Sequence, residues 1–215
     1  MCQLSNEEKL KLLKQSIKAY ERLLNYRYHI YLAHKGKIDF IELRFLANGF
    51  IHLSGISKLH DLFDVITAKG ALYRELKTGC ILKERISRSI YFEQIVPRLL
   101  SIIHLEQNFN NYPTNKYFKY THRIDGNYSS IIFNYFIQSV FEEDKCHYFI
   151  RKIDSDNKGI SFVLISTFIE NKKDYAVGQQ LMTLIRKKII NIITKEEFVI
   201  TDKMVTKNSK IGAIQ

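Results

Sequence analysis

The 215-residue chain has no tryptophan, only two prolines and nine glycines, and three cysteines. So few helix breakers and turn formers leave no room for long structureless linkers. The cysteines, Cys2, Cys80 and Cys146, are odd in number and far apart, and no C-x-x-C pair occurs. That spacing excludes a disulfide framework and a cysteine-based zinc site, and it fits a reduced, cytoplasmic protein. Long apolar runs are missing too. The most apolar stretch, SSIIFNYFIQSV at 129–140, is broken by polar residues and falls short of the roughly 20 residues that span a bilayer, so no membrane partner is expected. The opening MCQLSNEEKLKLL lacks the apolar core of a signal peptide.

Acidic residues are in deficit. Lysine and arginine number 33 against 22 aspartates and glutamates, a net charge of +11. A field of this sign attracts polyanions such as nucleic acid or anionic lipid. A lysine-rich solvated surface produces the same count with no such partner. What the chain has in quantity is apolar material: 46% hydrophobic residues, with 13 tyrosines and 14 phenylalanines. That excludes disorder and suffices for one medium-sized core.

Residues 5–34 follow a helical spacing, with Leu10, Leu13, Ile17, Tyr20, Leu24 and Tyr28 recurring every three or four positions. Ser5 or Asn6 caps this helix, and Glu7 and Glu8 fall in its first turn. KIDFIELRFL (37–46) alternates as a strand, Asn48-Gly49 supplies a turn, and FIHL is a short second strand. Residues 56–69, 71–78 and 91–106 read as helices. Beyond residue 114, KYFKYTH, SSIIFNYFIQSV, CHYFIRKI and ISFVLISTFI are β-branched and aromatic runs separated by turn signals, which predicts an antiparallel meander. Residues 173–191 read as a basic amphipathic helix, with Leu181, Leu184 and Ile185 inward and Arg186, Lys187 and Lys188 outward; FVIT, which follows, reads as a strand.

The expected fold class is therefore α+β: N-terminal helices, then an antiparallel β-sheet of about four to five strands with a C-terminal helix packed on it. The expected division is a helical extension at 1–36, an α+β domain at 37–194 and a tail at 195–215.

One stretch stands apart. FIHLSGISKL (50–59) sets His52, Ser54, Ser57 and Lys58 within a hydrophobic run. A histidine there is either a core residue bonded to backbone or a group that exchanges protons near neutral pH. Ser54 is either the N-cap of a following helix or a donor to an anion. Lys58 either neutralises phosphate or is simply solvated.

The segment IDFIELRFLANGFIHLSGI resembles the strand and Phe-x-His-Leu-Thr-Gly signature of the phage-associated Barnase–EndoU–Colicin–RelE-like nucleases, group four, with Ser54 in the threonine place. The likeness continues through KYTHRIDGNYSSIIF and CHYFIRKI to ISFVLIST, covering residues 35–170. It implies an endoribonuclease, a toxin or an effector of a phage or mobile element, that needs no metal or other cofactor. Such an enzyme moves the 2′-hydroxyl onto phosphorus and leaves a 2′,3′-cyclic phosphate. The chemistry requires a proton-transfer group and cations for the extra phosphate charge.

On this resemblance His52 is the leading catalytic candidate. In HYFIRKI, alternation puts His147, Phe149 and Arg151 on one face and Tyr148, Ile150 and Lys152 on the other. Arg151 is the phosphate clamp, with His147 as a second proton carrier, if the first face lines the groove; Tyr148 and Lys152 take those parts if the second does. Ser54, Lys58, Tyr120, Thr121 and Ser166 are candidate substrate contacts. DSDNKG (154–159) is a strand turn and not a calcium loop, because Lys158 and Ile165 stand at ligand positions. The expected partners are RNA and, for so positive an effector, an acidic antitoxin or immunity protein.

Overall fold

The computed structural model of the chain describes residues 4–62, 69–110, 114–121, 132–141, 144–155, 159–169 and 174–204. The first helix, α1 (Asn6–Leu23), is set by a capping box: Ser5 Oγ accepts from the Glu8 amide at 3.3 Å while the Glu8 carboxylate accepts from the Ser5 amide at 2.7 Å. Its apolar stripe, Leu13, Ile17, Tyr20 and Leu23, is buried, and the helix ends there. Tyr28, Ile30 and Leu32 belong instead to a strand, β1 (Tyr26–His34). A tight turn at Lys35 and Gly36, both at positive φ, reverses the chain into β2 (Lys37–Arg44).

A helical section follows: α2 (Gly49–Ser54), α3 (Lys69–Thr78), α4 (Ile81–Ser87), α5 (Val96–Ile103) and α6 (Leu105–Asn110), with short 3₁₀ turns at Ile56–Lys58, His60–Leu62 and Phe92–Gln94. Then come β3 (Lys116–Lys119), β4 (Tyr135–Phe141), β5 (Asp144–Ser155), β6 (Gly159–Ile169), β7 (Gln180–Asn191) and β8 (Glu197–Asp202).

The strands run in the order β1-β2-β6-β5-β4-β3-β7, and β7 pairs back onto β1, which closes a seven-stranded barrel. The pairings are antiparallel except that of β2 with β6, parallel at Leu43–Phe162 and Arg44–Val163. β8 is an additional strand on β7, which meets β3 through Gln180–Met182 and β8 through Arg186–Ile190.

This overturns the expected open antiparallel sheet of four to five strands with a C-terminal helix. The meander of β3 to β6 is present, but as one arc of a mixed, closed barrel. Residues 180–191 are a strand, and Lys187, expected on a solvated helix face, is fully buried. Leu181, expected inward, is exposed. FIHL is helical, within α2, and Ser54 ends that helix where an N-cap to the next was expected.

Closure gives the barrel an interior. Tyr28, Ile30, Leu32, Ile41, Leu43, Ile137, Tyr148, Ile150 and Leu184 are buried in one cluster with Leu13, Ile17, Tyr20, Phe50 and Leu99 of the helices. Phe109 of α6 meets Tyr28 and Tyr148 edge-on, with ring centroids 5.6 and 5.2 Å apart. Each such side chain contributes about 1.5–3 kcal/mol when fully buried. A second, smaller cluster lies on the opposite face of β3 to β5, where Phe118, Phe136 and Phe149 sit in register on neighbouring strands and Phe133 closes over them. Among the described residues no helix is long and apolar enough to cross a membrane.

Candidate active site

α2 is six residues long, bounded by two glycines with physical reasons to be there. Gly55 ends it at φ 75°, in the left-handed region, and a Cβ on Gly49 would lie 2.6 Å from Tyr20 Oη. Tyr20 in turn donates to the Leu46 carbonyl at 2.7 Å, which fixes the link into the helix. Phe50, Ile51 and Leu53 are fully buried, so the helical period leaves His52 on the outer side, exposed.

β6 carries a bulge facing this helix. Phe149 pairs with Ser166 and Ile150 with Leu164, so Ile165 is an extra residue that bends the strand. Between α2 and the bulged β5–β6 ladder lies a cavity of about 450 Å³, whose walls include Asn48, His52, Ile132, Arg151, Ile153 and Ile165. His52 and Arg151 thus face the same space, one from a helix and the other from a strand. Arg151 is exposed and has no carboxylate partner among the described residues. The lining mixes apolar side chains, Ile132, Ile153 and Ile165 among them, with the polar Asn48, His52 and Arg151.

The other sequence candidates do not join this cavity. Tyr148 is wholly buried, its hydroxyl accepting from Asn108 Nδ2 at 2.6 Å; burial drives the phenol far above its ordinary range. It lies on the inward face of β5, so Arg151's face is the one turned to the cleft. His147 shares Arg151's face but is packed among Phe136, Phe149 and Tyr175, and burial pulls its pKa down to about 4. A group neutral at pH 7 and sealed by aromatics is a poor proton carrier. Ser54 is buried, donating to the Ile51 carbonyl at 3.3 Å. Tyr120 packs on Phe133 with centroids 4.4 Å apart, and Thr121 donates through its hydroxyl to the Gly178 carbonyl at 3.3 Å. Ser166 is buried beside the bulge. His122, which shares a face with Tyr120 in the sequence pattern, lies outside the described residues.

Residues 12–204 match the family described as phage-Barnase-EndoU-ColicinE5/D-RelE like nuclease 4. The chain belongs to that nuclease family. No curated protein and no solved structure matches it. The matched span takes in most of α1, with β1, β7 and β8 as well as the cleft, so the closing strands of the barrel are part of the nuclease unit. Nucleic acid is the substrate class that such a family acts on.

In this nuclease chain Lys58 sits outside the cavity, just beyond Gly55, beside a residue that sequence reasoning missed. The Cδ of Arg98, on α5, packs over Gly55, 2.8 Å from where a Cβ would be. The Arg98 charge, then partial burial, hold the Lys58 ammonium below its ordinary value. Neither cation has an acidic partner among the described residues. No spacing signal points to Arg98, because only the three-dimensional approach of α5 to Gly55 makes it a neighbour of Lys58. Among the described residues no group of three or more His, Cys, Asp or Glu side chains is arranged to hold a metal ion.

Proposed function

We propose that the protein is a metal-independent endoribonuclease whose active site is the cleft between α2 and the β5–β6 bulge. The observation that carries this reading is that His52 and Arg151 line one cavity. His52 takes the 2′-hydroxyl proton, the 2′-oxygen bonds to the adjacent phosphorus, and the bond from phosphorus to the 5′-oxygen breaks. The leaving 5′-oxygen takes a proton from solvent water in the open cleft, leaving a 2′,3′-cyclic phosphate. Arg151 neutralises the charge that gathers on the phosphoryl oxygens in the transition state. Lys58 and Arg98 hold a neighbouring phosphate of the strand, a sequence-independent contact. A cytoplasmic toxin or phage effector of this kind, with +11 charge, pairs with an acidic inhibitor.

The test is incubation of the full chain with total RNA in EDTA, beside His52→Ala and Arg151→Ala, with analysis of the new ends. Cyclic phosphate ends that disappear in both variants support the reading. Cleavage that persists in His52→Ala, or that needs a divalent ion, refutes it. Salt-sensitive RNA binding without cleavage makes the chain a nucleic-acid-binding member of its family.

A further inference from the structure

A second polar cavity lies at the other end of β2, where the barrel is open. Asp39 stands there at the mouth, and its carboxylate crosses the interior: Oδ2 accepts from Lys119 Nζ on β3 at 2.8 Å and from Tyr135 Oη on β4 at 2.9 Å. Neither strand neighbours β2 in the barrel, so these bonds run through the mouth itself. Around them is a cavity of about 390 Å³, walled by His34, Lys35, Lys37, Asp39, Lys119 and Gln180 among others. Five residues of β2, Phe40 to Arg44, at about 3.3 Å each, lie between Asp39 and the segment with Leu46 and Asn48 that lines the His52 cleft.

Three features of this mouth are unspent on the fold. Both hydrogen bonds to Asp39 fall on Oδ2, so Oδ1 has no hydrogen-bond partner among the described residues. Burial alone would raise the Asp39 pKa, but the Lys119 and Tyr135 bonds and the charges of Lys119 and Lys37 hold it below its ordinary value, so the acceptor stays charged. Lys35 and Lys37 are exposed at the rim and form no close ion pair among the described residues; Lys37 acts on Asp39 only through its charge. Lys35 also holds φ 46°, a turn position that asparagine or glycine fills at lower cost. The site therefore offers cations at its rim and a hydroxyl acceptor deeper in, in a volume within the range of small-ligand sites.

We propose that the barrel mouth is a second binding site, separate from the His52 cleft, for a small ribose phosphate, with Lys35 and Lys37 on the phosphate and Asp39 Oδ1 on a ribose hydroxyl. None of these three side chains lines the His52 cleft. A free mononucleotide and a simple sugar phosphate share this chemistry.

Titration calorimetry of the full chain with AMP, ribose 5-phosphate, adenosine and inorganic phosphate tests it. The expected result is saturable binding of AMP and ribose 5-phosphate, with inorganic phosphate and adenosine at least tenfold weaker. AMP tighter than ribose 5-phosphate identifies the ligand as a nucleotide; equal affinities identify it as a sugar phosphate. The double variant Lys35→Ala/Lys37→Ala, at exposed positions, weakens both at least tenfold with an unchanged circular dichroism spectrum, and Asp39→Asn removes the preference over inorganic phosphate. Binding persists in His52→Ala. Absence of binding, inorganic phosphate binding as tightly as AMP, or loss in His52→Ala with retention in the rim variant overturns the proposal without touching the nuclease reading.

Discussion

Tyr20 on α1 and Gly49 at the start of α2 approach so closely that a Cβ on Gly49 would lie 2.6 Å from the tyrosine oxygen. The same hydroxyl holds the Leu46 carbonyl at 2.7 Å, so one contact sets where α2, and hence His52, stands. Gly49→Ala is expected to cost about 1–3 kcal/mol by overpacking, read as a lower thermal midpoint. Combined with Tyr20→Phe, which removes the clashing oxygen, it should cost less than the sum of the two single changes.

Within the cleft, His52→Ala is expected to lower RNA cleavage by about 10²–10⁴-fold, the range of a proton-transfer group. Arg151→Ala should cost about 10²–10³-fold, the range of a donor that meets developing charge. Both variants should unfold at the wild-type denaturant midpoint, because each side chain is exposed.

Tyr148→Phe separates scaffold from chemistry. It strands the buried Asn108 amide and should cost about 1–3 kcal/mol of stability, while the folded fraction cleaves RNA at the wild-type rate. A large loss of turnover in protein that remains folded would return Tyr148 to the site.

Lys187 is fully buried, lies 5.6 Å from the Tyr28 ring centroid and donates to the Phe109 carbonyl; burial pulls its pKa down to about 7 from 10.5. Between those values the unfolded chain holds a proton that the folded chain lacks, so stability rises with pH, by at most about 1.4 kcal/mol per unit. Below pH 7 the penalty is complete. Lys187→Met should remove this rise and be more stable than wild type at pH 7, since Asn115 still donates to the Phe109 carbonyl. Denaturant titrations from pH 7 to 10 read both effects.

His147 works in the acid range. Its pKa is pulled down to about 4 from 6.5, so below pH 6.5 the unfolded chain takes up a proton first, and stability falls until pH 4 is passed. The fall should be smaller in His147→Gln, measured as the difference between the two titrations.

The sequence displayed those parts of the fold where side chains alternate without interruption. KIDFIELR shows Ile41 and Leu43 on one face, and β3 to β6 are bounded by turn residues. β7 was hidden by its own irregularity. Its buried residues are Met182 and Leu184, then Lys187 and Ile189, because the register with β1 shifts at Ile185. A step of three in the middle of a strand imitates a helix. β1 was hidden by phase, since Tyr28 continues the three-and-four spacing of α1 after the helix has ended. At the site, His52 and Arg151 were legible as residue types, but their meeting depends on a parallel pairing between β2 and β6 that no local pattern encodes. The face of β5 that lines the cleft was likewise undecidable until the helices covered the other one.

The pairing of β1 with β7 joins Tyr26 to Asn191, so the barrel can close only after nearly all of its strands exist. Until β7 docks, β1 and β3 both present unpaired edges, ready templates for another chain. Long-range closure of this kind is slow compared with helix formation. The growing polypeptide is therefore most exposed to self-association at the stage when only β7 and β8 remain to be added, and a burst of synthesis would favour aggregates over closed barrels unless that last step is shielded.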